Sequence, residues 1–124
     1  MKTILLVEDD PLVRRFVAEI LTDLGYTIIE AEDGEEAYNL CVESAPEIDL
    51  LLSDVIMPRM NGGELAKRLE KIYPGLKIQF MSGYTDGNIA THGVLAEGVN
   101  LLQKPMKPDV LAMALRDLLD QEPA

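Results

Sequence analysis

The stretch Leu50-Leu51-Leu52-Ser53-Asp54-Val55-Ile56-Met57-Pro58 decides the fold, because it joins an apolar run to one carboxylate and a turn-forming proline. An apolar run that ends at a turn signal predicts a buried strand in a parallel sheet. Asp54 lies where that strand ends, and open parallel sheets bind ligands at the carboxyl ends of their strands. This stretch alone leaves two interpretations open: Asp54 carries chemistry, or it caps a turn or helix.

The flanking sequence repeats the pattern of an apolar run followed by a helix-like segment. Further strands are predicted at 3–7, 26–30, 76–81 and 99–102, and helices at about 11–24, 33–44, 61–72, 85–95 and 108–120. Asp10, Asp33 and Asn61 are the predicted N-caps of the first three helices. Five strands alternating with five helices predict an α/β doubly wound parallel sheet with helices on both faces. The pattern does not fix the strand order.

Length and charge limit the classes of function. The chain has 124 residues, which predicts a single domain over 1–124 with a flexible tail from about residue 121. The formal net charge of -11 disfavours binding to nucleic acid or to anionic membranes. No apolar run approaches the roughly 18 residues of a membrane span, and the first residues do not resemble a signal peptide. We expect a cytoplasmic protein with no membrane insertion and no direct nucleic acid binding.

Polar residues follow four of the predicted strands: Glu8 and Asp9, then Asp54, Ser82 and Lys104. The carboxyl ends of parallel strands share one edge, so these five side chains are expected to converge. Two carboxylates about 4 Å apart repel by roughly 4 kcal/mol at an effective dielectric of 20. A hard cation relieves that repulsion, and oxygen ligands favour Mg²⁺, with Mn²⁺ as an alternative. The competing interpretation is that each residue only caps its own loop.

The same set of carboxylate, hydroxyl and ammonium groups is suited to binding a phosphoryl group. An aspartate carboxylate can accept phosphate in covalent catalysis. Phosphorylation of Asp54 would replace one negative charge with about two. Ser82 and Lys104 are placed to donate hydrogen bonds to the added oxygens.

Four motifs make the chain resemble a known family over essentially its whole length. They are Val7-Glu8-Asp9-Asp10, Ser53-Asp54-Val55-Ile56-Met57-Pro58 with Gly62 following, Met81-Ser82-Gly83-Tyr84, and Lys104-Pro105. With them the sequence resembles the receiver domain of two-component response regulators. The third motif is similar to that of receivers joined to hybrid sensor histidine kinases. The resemblance implies a flavodoxin-like (βα)5 fold with strand order 2-1-3-4-5.

The resemblance also implies a mechanism. Asp54 would be the phosphoacceptor, and a histidine kinase or phosphotransfer domain would donate the group from a phosphohistidine. Glu8 and Asp9 would hold Mg²⁺ together with Asp54 and the backbone carbonyl of Ile56. The protein would be a signalling switch in a phosphorelay rather than a turnover enzyme. Its output and its oligomeric state stay open.

The hydroxyl of Ser82 would act as the switch, and Lys104 would contact the phosphoryl group through a loop with a cis bond to Pro105. Some positions depart from the common family pattern. Glu8 replaces the more usual Asp, and Leu101 stands where many members carry an aromatic residue. The second departure puts the aromatic part of the familiar switch in doubt.

Two hypotheses concern neighbouring residues. Arg14 and Arg15 on the first helix are candidates for docking an acidic partner, or they are ordinary surface arginines. Ile56 and Tyr84 each lie two residues beyond a site residue, where a bulky side chain would overhang the phosphoryl group and slow its hydrolysis.

Three alternative functions remain for comparison. A flavodoxin-like electron carrier needs a phosphate-binding loop after its first strand, where this chain is acidic. A phosphatase with an Asp nucleophile usually has a second Asp two residues on, where this chain has Ile56. A degenerate receiver that binds a partner without phosphorylation is the main alternative, and the intact Asp54, Glu8, Asp9 and Lys104 argue against it.

Overall fold

The computed structural model describes residues 2–83 and 99–121. They form a five-stranded parallel sheet between two layers of helices. The strands are β1 Thr3–Val7, β2 Thr27–Ala31, β3 Leu50–Asp54, β4 Lys77–Ser82 and β5 Leu101–Gln103. The helices are α1 Pro11–Asp23, α2 Gly34–Ser44, α3 Gly62–Ile72 and α4 Pro108–Leu119. The helix predicted at 85–95 and the last residues of the predicted tail lie outside the described residues.

The strand order is β2-β1-β3-β4-β5, and every neighbouring pair is parallel. Both the predicted fold class and the predicted order are therefore confirmed. β3 is the central strand, and all five of its residues are buried. Helices on both faces explain why β3 begins with three consecutive leucines instead of alternating apolar and polar residues.

The sheet divides the apolar core into two layers. Leu51 contributes to the layer beneath α2 and α3, whereas Leu50 and Leu52 contribute to the layer beneath α1 and α4. Consecutive residues of a strand point to opposite faces, so one short run supplies both layers. Each fully buried leucine contributes about 2 kcal/mol. The two layers together bury both faces of the central strand that leads to Asp54.

The start of α1 follows the predicted capping pattern. The Asp10 carboxylate accepts hydrogen bonds from the backbone N–H groups of Leu12 at 2.9 Å and Val13 at 3.4 Å, and Pro11 is the first helical residue. The apolar stripe of the helix is wider than its buried face, because Leu12 and Phe16 are 79% and 48% exposed. Within the described ranges, no helix has the length and apolar character needed to cross a membrane.

β1 has the predicted bounds, whereas the other four strands begin or end one or two residues away from the predicted positions. Asp54 is the last residue of β3 and not the first residue after it. β5 begins at Leu101, two residues later than predicted, because pairing with Phe80 begins there and Val99 is 36% exposed before it.

Candidate functional site

The carboxyl edge of the sheet collects the polar residues that follow its strands. Glu8 follows β1, Asp54 and Ser82 end β3 and β4, and Lys104 follows β5. The parallel register brings these ends level, and the Lys104 N–H donates to the carbonyl of Ser82 at 2.7 Å. The loop after β5 is thereby tied to the end of β4, and the Lys104–Pro105 peptide bond in it is cis.

Lys104 links two buried carboxylates. Its Nζ lies 2.9 Å from Oε2 of Glu8 and 3.2 Å from Oδ2 of Asp54. The Glu8 and Asp54 side chains are only 1% and 4% exposed, and that of Lys104 is 16% exposed. Buried ionised groups require pairing of this kind, because an isolated buried charge is strongly destabilising.

Asp9 adds a third carboxylate at the surface of the cluster. One carboxylate oxygen from each of Glu8, Asp9 and Asp54 lies within 4.8 Å of the others. At that separation each pair of charges repels by about 3 kcal/mol at an effective dielectric of 20. Oδ1 of Asp54 is buried and has no hydrogen-bond partner among the described residues. A partnerless oxygen within an all-oxygen donor set fits a hard divalent cation such as Mg²⁺.

The electrostatics of the cluster follow from burial and mutual repulsion. Burial, then the charge of Glu8, raises the pKa of Asp54 to about 7 although Lys104 opposes the shift. Burial also raises the pKa of Glu8, and the hydrogen bond from Lys104 offsets part of that rise. Burial alone would lower the pKa of Lys104, but its contacts with Glu8 and Asp54 outweigh burial and raise it. The cation-free cluster therefore carries more carboxylate than its one ammonium can balance.

The other predicted site residues that the structure describes differ in how far they are exposed to solvent. Ser82 is 2% exposed and ends the strand beside β3. Ile56, two residues beyond Asp54, is 36% exposed. Tyr84 lies outside the described residues, so its predicted position over the site stays a prediction.

The loop between β3 and α3 is held by a close backbone approach at Gly62. The Gly62 N–H donates to the carbonyl of Val55 at 2.7 Å. A Cβ atom at position 62 would lie 2.3 Å from the backbone carbonyl oxygen of Asp54. The sequence places Gly62 in the family motif, and the structure gives the physical reason for it.

Arg59 was not predicted as part of the site environment. It adopts a left-handed conformation with φ of 69°, and its guanidinium lies 2.6 Å from Oδ2 of Asp33 and 3.4 Å from Oε2 of Glu35. The N–H of Glu36, together with Arg59, lowers the pKa of Asp33. These contacts tie the loop beyond Asp54 to the start of α2. Neither periodicity nor a motif marks Arg59 in the sequence.

The two arginines proposed for docking differ in the structure. Arg14 is 20% exposed and donates from Nη1 to the carbonyl of Glu8 at 2.8 Å. Arg15 is 81% exposed, with Nε 3.5 Å from Oε1 of Glu19.

An apolar groove of about 370 Å³ lies beside Lys104, and the sequence did not predict it. The groove is lined by Leu12, Val13, Phe16, Val17, Lys104, Pro105 and Met106.

Comparisons with known proteins agree with this geometry. The family model of the response regulator receiver domain matches residues 4–116. The response regulator receiver protein CpdR of Brucella abortus (strain 2308) is 36% identical over 121 residues, which are 98% of this chain and 93% of CpdR. The sensor kinase CckA of the same strain is 36% identical over 120 residues, which are 97% of this chain but only 13% of that kinase. The crystal structure of the receiver domain from hybrid histidine kinase CckA aligns with a TM-score of 0.79 at 36% identity, covering 95% of this chain and 99% of that one.

Proposed function

Because the chain belongs to the response regulator receiver family, we propose that it is a phosphorylation switch whose phosphoacceptor is Asp54. Its phosphodonor is the phosphohistidine of a histidine kinase or phosphotransfer domain. Glu8 and Asp9 hold Mg²⁺ together with Asp54 and the carbonyl of Ile56. The protein assists its own phosphorylation and its slow dephosphorylation without acting as a turnover enzyme.

One observation carries the proposal: Asp54 is a buried carboxylate with one oxygen paired to Lys104 and the other without a hydrogen-bond partner among the described residues. An Asp that only capped a turn would accept hydrogen bonds from backbone N–H groups of its own loop, as Asp10 and Asp33 do. Asp54 instead keeps an oxygen open to a cation or to phosphorus, at an energetic cost that its raised pKa reflects.

The chemistry of transfer requires positioning and charge balance. An oxygen of Asp54 forms a bond to phosphorus while the bond from phosphorus to the imidazole nitrogen breaks, and the imidazole keeps the electron pair. Mg²⁺, when bound, neutralises charge on the phosphoryl oxygens. Lys104, already 3.2 Å from Asp54, contributes its ammonium to the same oxygens.

Phosphorylation changes the hydrogen-bond and ion-pair partners of Lys104 and Ser82. The phosphoryl group brings about two negative charges where Asp54 had one. Lys104 shares its charge between Glu8 and Asp54 before transfer, and moves toward the phosphoryl oxygens afterwards. The buried Ser82 supplies a hydroxyl donor from the neighbouring strand end. A shift of Ser82 alters the start of the chain segment that follows β4.

The phosphodonor docks at the groove beside Lys104. Leu12 and Phe16 expose apolar surface on α1, and Pro105 and Met106 form the facing wall. Lys104 belongs both to this groove and to the Asp54 cluster, so an apolar helix seated there would carry its phosphohistidine close to Asp54. Arg15, exposed and outside the cluster, remains the arginine available to an acidic partner.

A small phosphodonor tests the assignment without a partner protein. Incubation with acetyl phosphate and Mg²⁺ is expected to add one phosphoryl group to the intact mass. Asp54→Asn should add none, because the nucleophilic oxygen is lost. Asp117→Asn, at an exposed position on α4, is the matched control and should be phosphorylated like the wild type.

Two outcomes would contradict the proposal. A mass gain that persists in Asp54→Asn would place the acceptor elsewhere. A folded wild type that gains no mass would favour the alternative, a degenerate receiver that binds its partner independently of phosphorylation.

The lifetime of the phosphorylated form is expected to be long, because the apolar side chain of Ile56 cannot orient an attacking water. Ile56→Asn should speed phosphoryl loss by roughly tenfold, since a hydrogen bond to the water is worth about 1 to 1.5 kcal/mol. Phosphoryl loss is followed by intact mass after the donor is removed. Ile56→Leu keeps the bulk and should match the wild type, whereas equal rates for the Asn and Leu variants would exclude this role. The parallel proposal for Tyr84 is tested in the same way with Tyr84→Glu.

A further inference from the structure

Arg14 lies in the second turn of α1 but reaches back to the end of β1. Its Nη1 donates to the carbonyl oxygen of Glu8 at 2.8 Å, and its Nε lies 3.6 Å from Oε1 of Glu30 in β2. Helical side chains lean toward the N-terminus of their helix, which directs Arg14 toward this junction. Its 20% exposure contrasts with 81% for Arg15, the next residue along the helix.

The contact completes a set of restraints on Glu8. The backbone N–H of Glu8 donates to Ala31 at 3.2 Å, and its carbonyl is held by Arg14. Oε1 of Glu8 accepts from the N–H of Asp10 at 3.2 Å, and Oε2 contacts Lys104 at 2.9 Å. With both of its backbone groups and both carboxylate oxygens engaged, Glu8 has a fixed position at the edge of the sheet.

The restraints matter because the turn from Glu8 to Asp10 carries two of the three clustered carboxylates. Mutual repulsion with Asp54 favours opening of the turn when no cation is bound. Asp9 is exposed and follows Glu8 directly, so its position depends on the turn. The guanidinium of Arg14 opposes that opening from the side of the turn where it bonds the Glu8 carbonyl.

We propose that Arg14 is a positioning residue for the cation site: it holds the Glu8 carbonyl and thereby keeps the carboxylates of Glu8, Asp9 and Asp54 converged. The inference rests on the proposed function, since it concerns the cation that phosphorylation requires. Arg14 acts through Glu8 and does not bind the cation or the phosphoryl group.

The direction of the change in Mg²⁺ affinity distinguishes this positioning role from a purely electrostatic effect of Arg14. Removing a positive charge near a cation site should, by Coulomb's law alone, tighten cation binding. Loss of a positioning contact should weaken it. A hydrogen bond from a charged group is worth about 1.5 kcal/mol, so Arg14→Met is expected to raise the Kd for Mg²⁺ roughly tenfold.

Calorimetric titration of the full chain with Mg²⁺ measures this, with Mn²⁺ binding by electron paramagnetic resonance as a second readout. Arg15→Met removes the same charge one residue away and should leave the Kd unchanged or slightly lower. Arg14→Lys keeps the charge but cannot reach both Glu8 and Glu30 with a planar fork, so it should weaken binding by an intermediate factor. Hydrogen exchange of the Asp10 N–H, which bonds Glu8, should accelerate in Arg14→Met and not in Arg15→Met.

Each contrary result has a separate meaning. If both Arg14 variants bind Mg²⁺ as tightly as the wild type or more tightly, the positioning role is overturned and the proposed function stands. A folded wild type that binds no Mg²⁺ would overturn both. Weakening in Arg14→Met that is matched in Arg15→Met would show that the effect does not depend on the contact with the Glu8 carbonyl, and it would also overturn the inference.

Discussion

Asp54→Asn is expected to stabilise the cation-free protein by about 2 kcal/mol at pH 8, although it removes the proposed phosphoacceptor. Burial and the charge of Glu8 raise the pKa of Asp54 to about 7, whereas an unfolded Asp has a pKa of about 3.9. A gap of about three pKa units corresponds to about 4 kcal/mol of destabilisation when the group is ionised in both states. Asparagine is expected to recover only about half of this, because its buried amide N–H groups would find no acceptor where Oδ1 of Asp54 has no hydrogen-bond partner among the described residues.

The sign of the pH dependence follows from the raised pKa. The folded protein binds a proton at Asp54 that the unfolded chain releases above about pH 4. The stability that this proton provides is therefore complete below about pH 4 and is lost as the pH rises to about 7. The advantage of Asp54→Asn should accordingly be near zero at pH 5 and greatest at pH 8.

Urea denaturation in the presence of a chelator at pH 5 and pH 8 measures the difference. Asp117→Asn, which changes an exposed carboxylate, should alter the free energy of unfolding by less than about 0.5 kcal/mol at either pH. Addition of Mg²⁺ should stabilise the wild type more than Asp54→Asn and narrow the gap. A variant less stable than the wild type at pH 8 would show that Lys104 compensates the buried charge fully.

Gly62→Ala is expected to lower the free energy of unfolding by about 3 kcal/mol, at the upper end of overpacking costs. A Cβ at position 62 would lie 2.3 Å from the Asp54 carbonyl oxygen and 3.2 Å from the Val55 Cα. These are backbone atoms of the central strand and the residue that follows it, so they cannot rotate away as a side chain would. The strand end or the start of α3 must move.

Gly75→Ala is the matched control for this substitution. Gly75 has a φ of +80°, and nothing lies within 4 Å of its Cβ position. Its replacement should cost only the left-handed strain of about 1 kcal/mol. Urea denaturation compares the two variants, and phosphorylation by acetyl phosphate should slow only in Gly62→Ala. Equal costs for both would mean that the contact at Asp54 relaxes without resistance.

The sequence predicted the sheet well because each strand has a simple signature. β3 begins with three consecutive leucines, as expected of a strand buried on both faces, and Asp10 and Pro11 mark the start of α1 unambiguously. Convergence of Glu8, Asp54 and Lys104 could be expected as well, since parallel strands end at one edge. The strand order came from the resemblance, because periodicity carries no information about which strands are neighbours.

Other features could not be predicted because they depend on tertiary contacts. Arg59 has a left-handed backbone and pairs with Asp33, 26 residues away in the chain. For the same reason the sequence does not distinguish Arg14 from Arg15: both are helical arginines, and only the position of the Glu8 carbonyl separates their roles. The start of β5 was placed too early because Val99 favours a strand but precedes the ladder.

The contact between Lys104 and Glu8 joins residues separated by 96 positions in the chain. A contact that closes so long a loop gains nothing until the first and last strands are both in place, so it belongs to the late steps of folding. Until then the carboxylates of Glu8 and Asp54 lack the ammonium of Lys104, which offsets part of their charge. A chain released before β5 is added would thus contain Asp54 but not its charge partner, so the phosphorylation proposed for Asp54 would require completed folding.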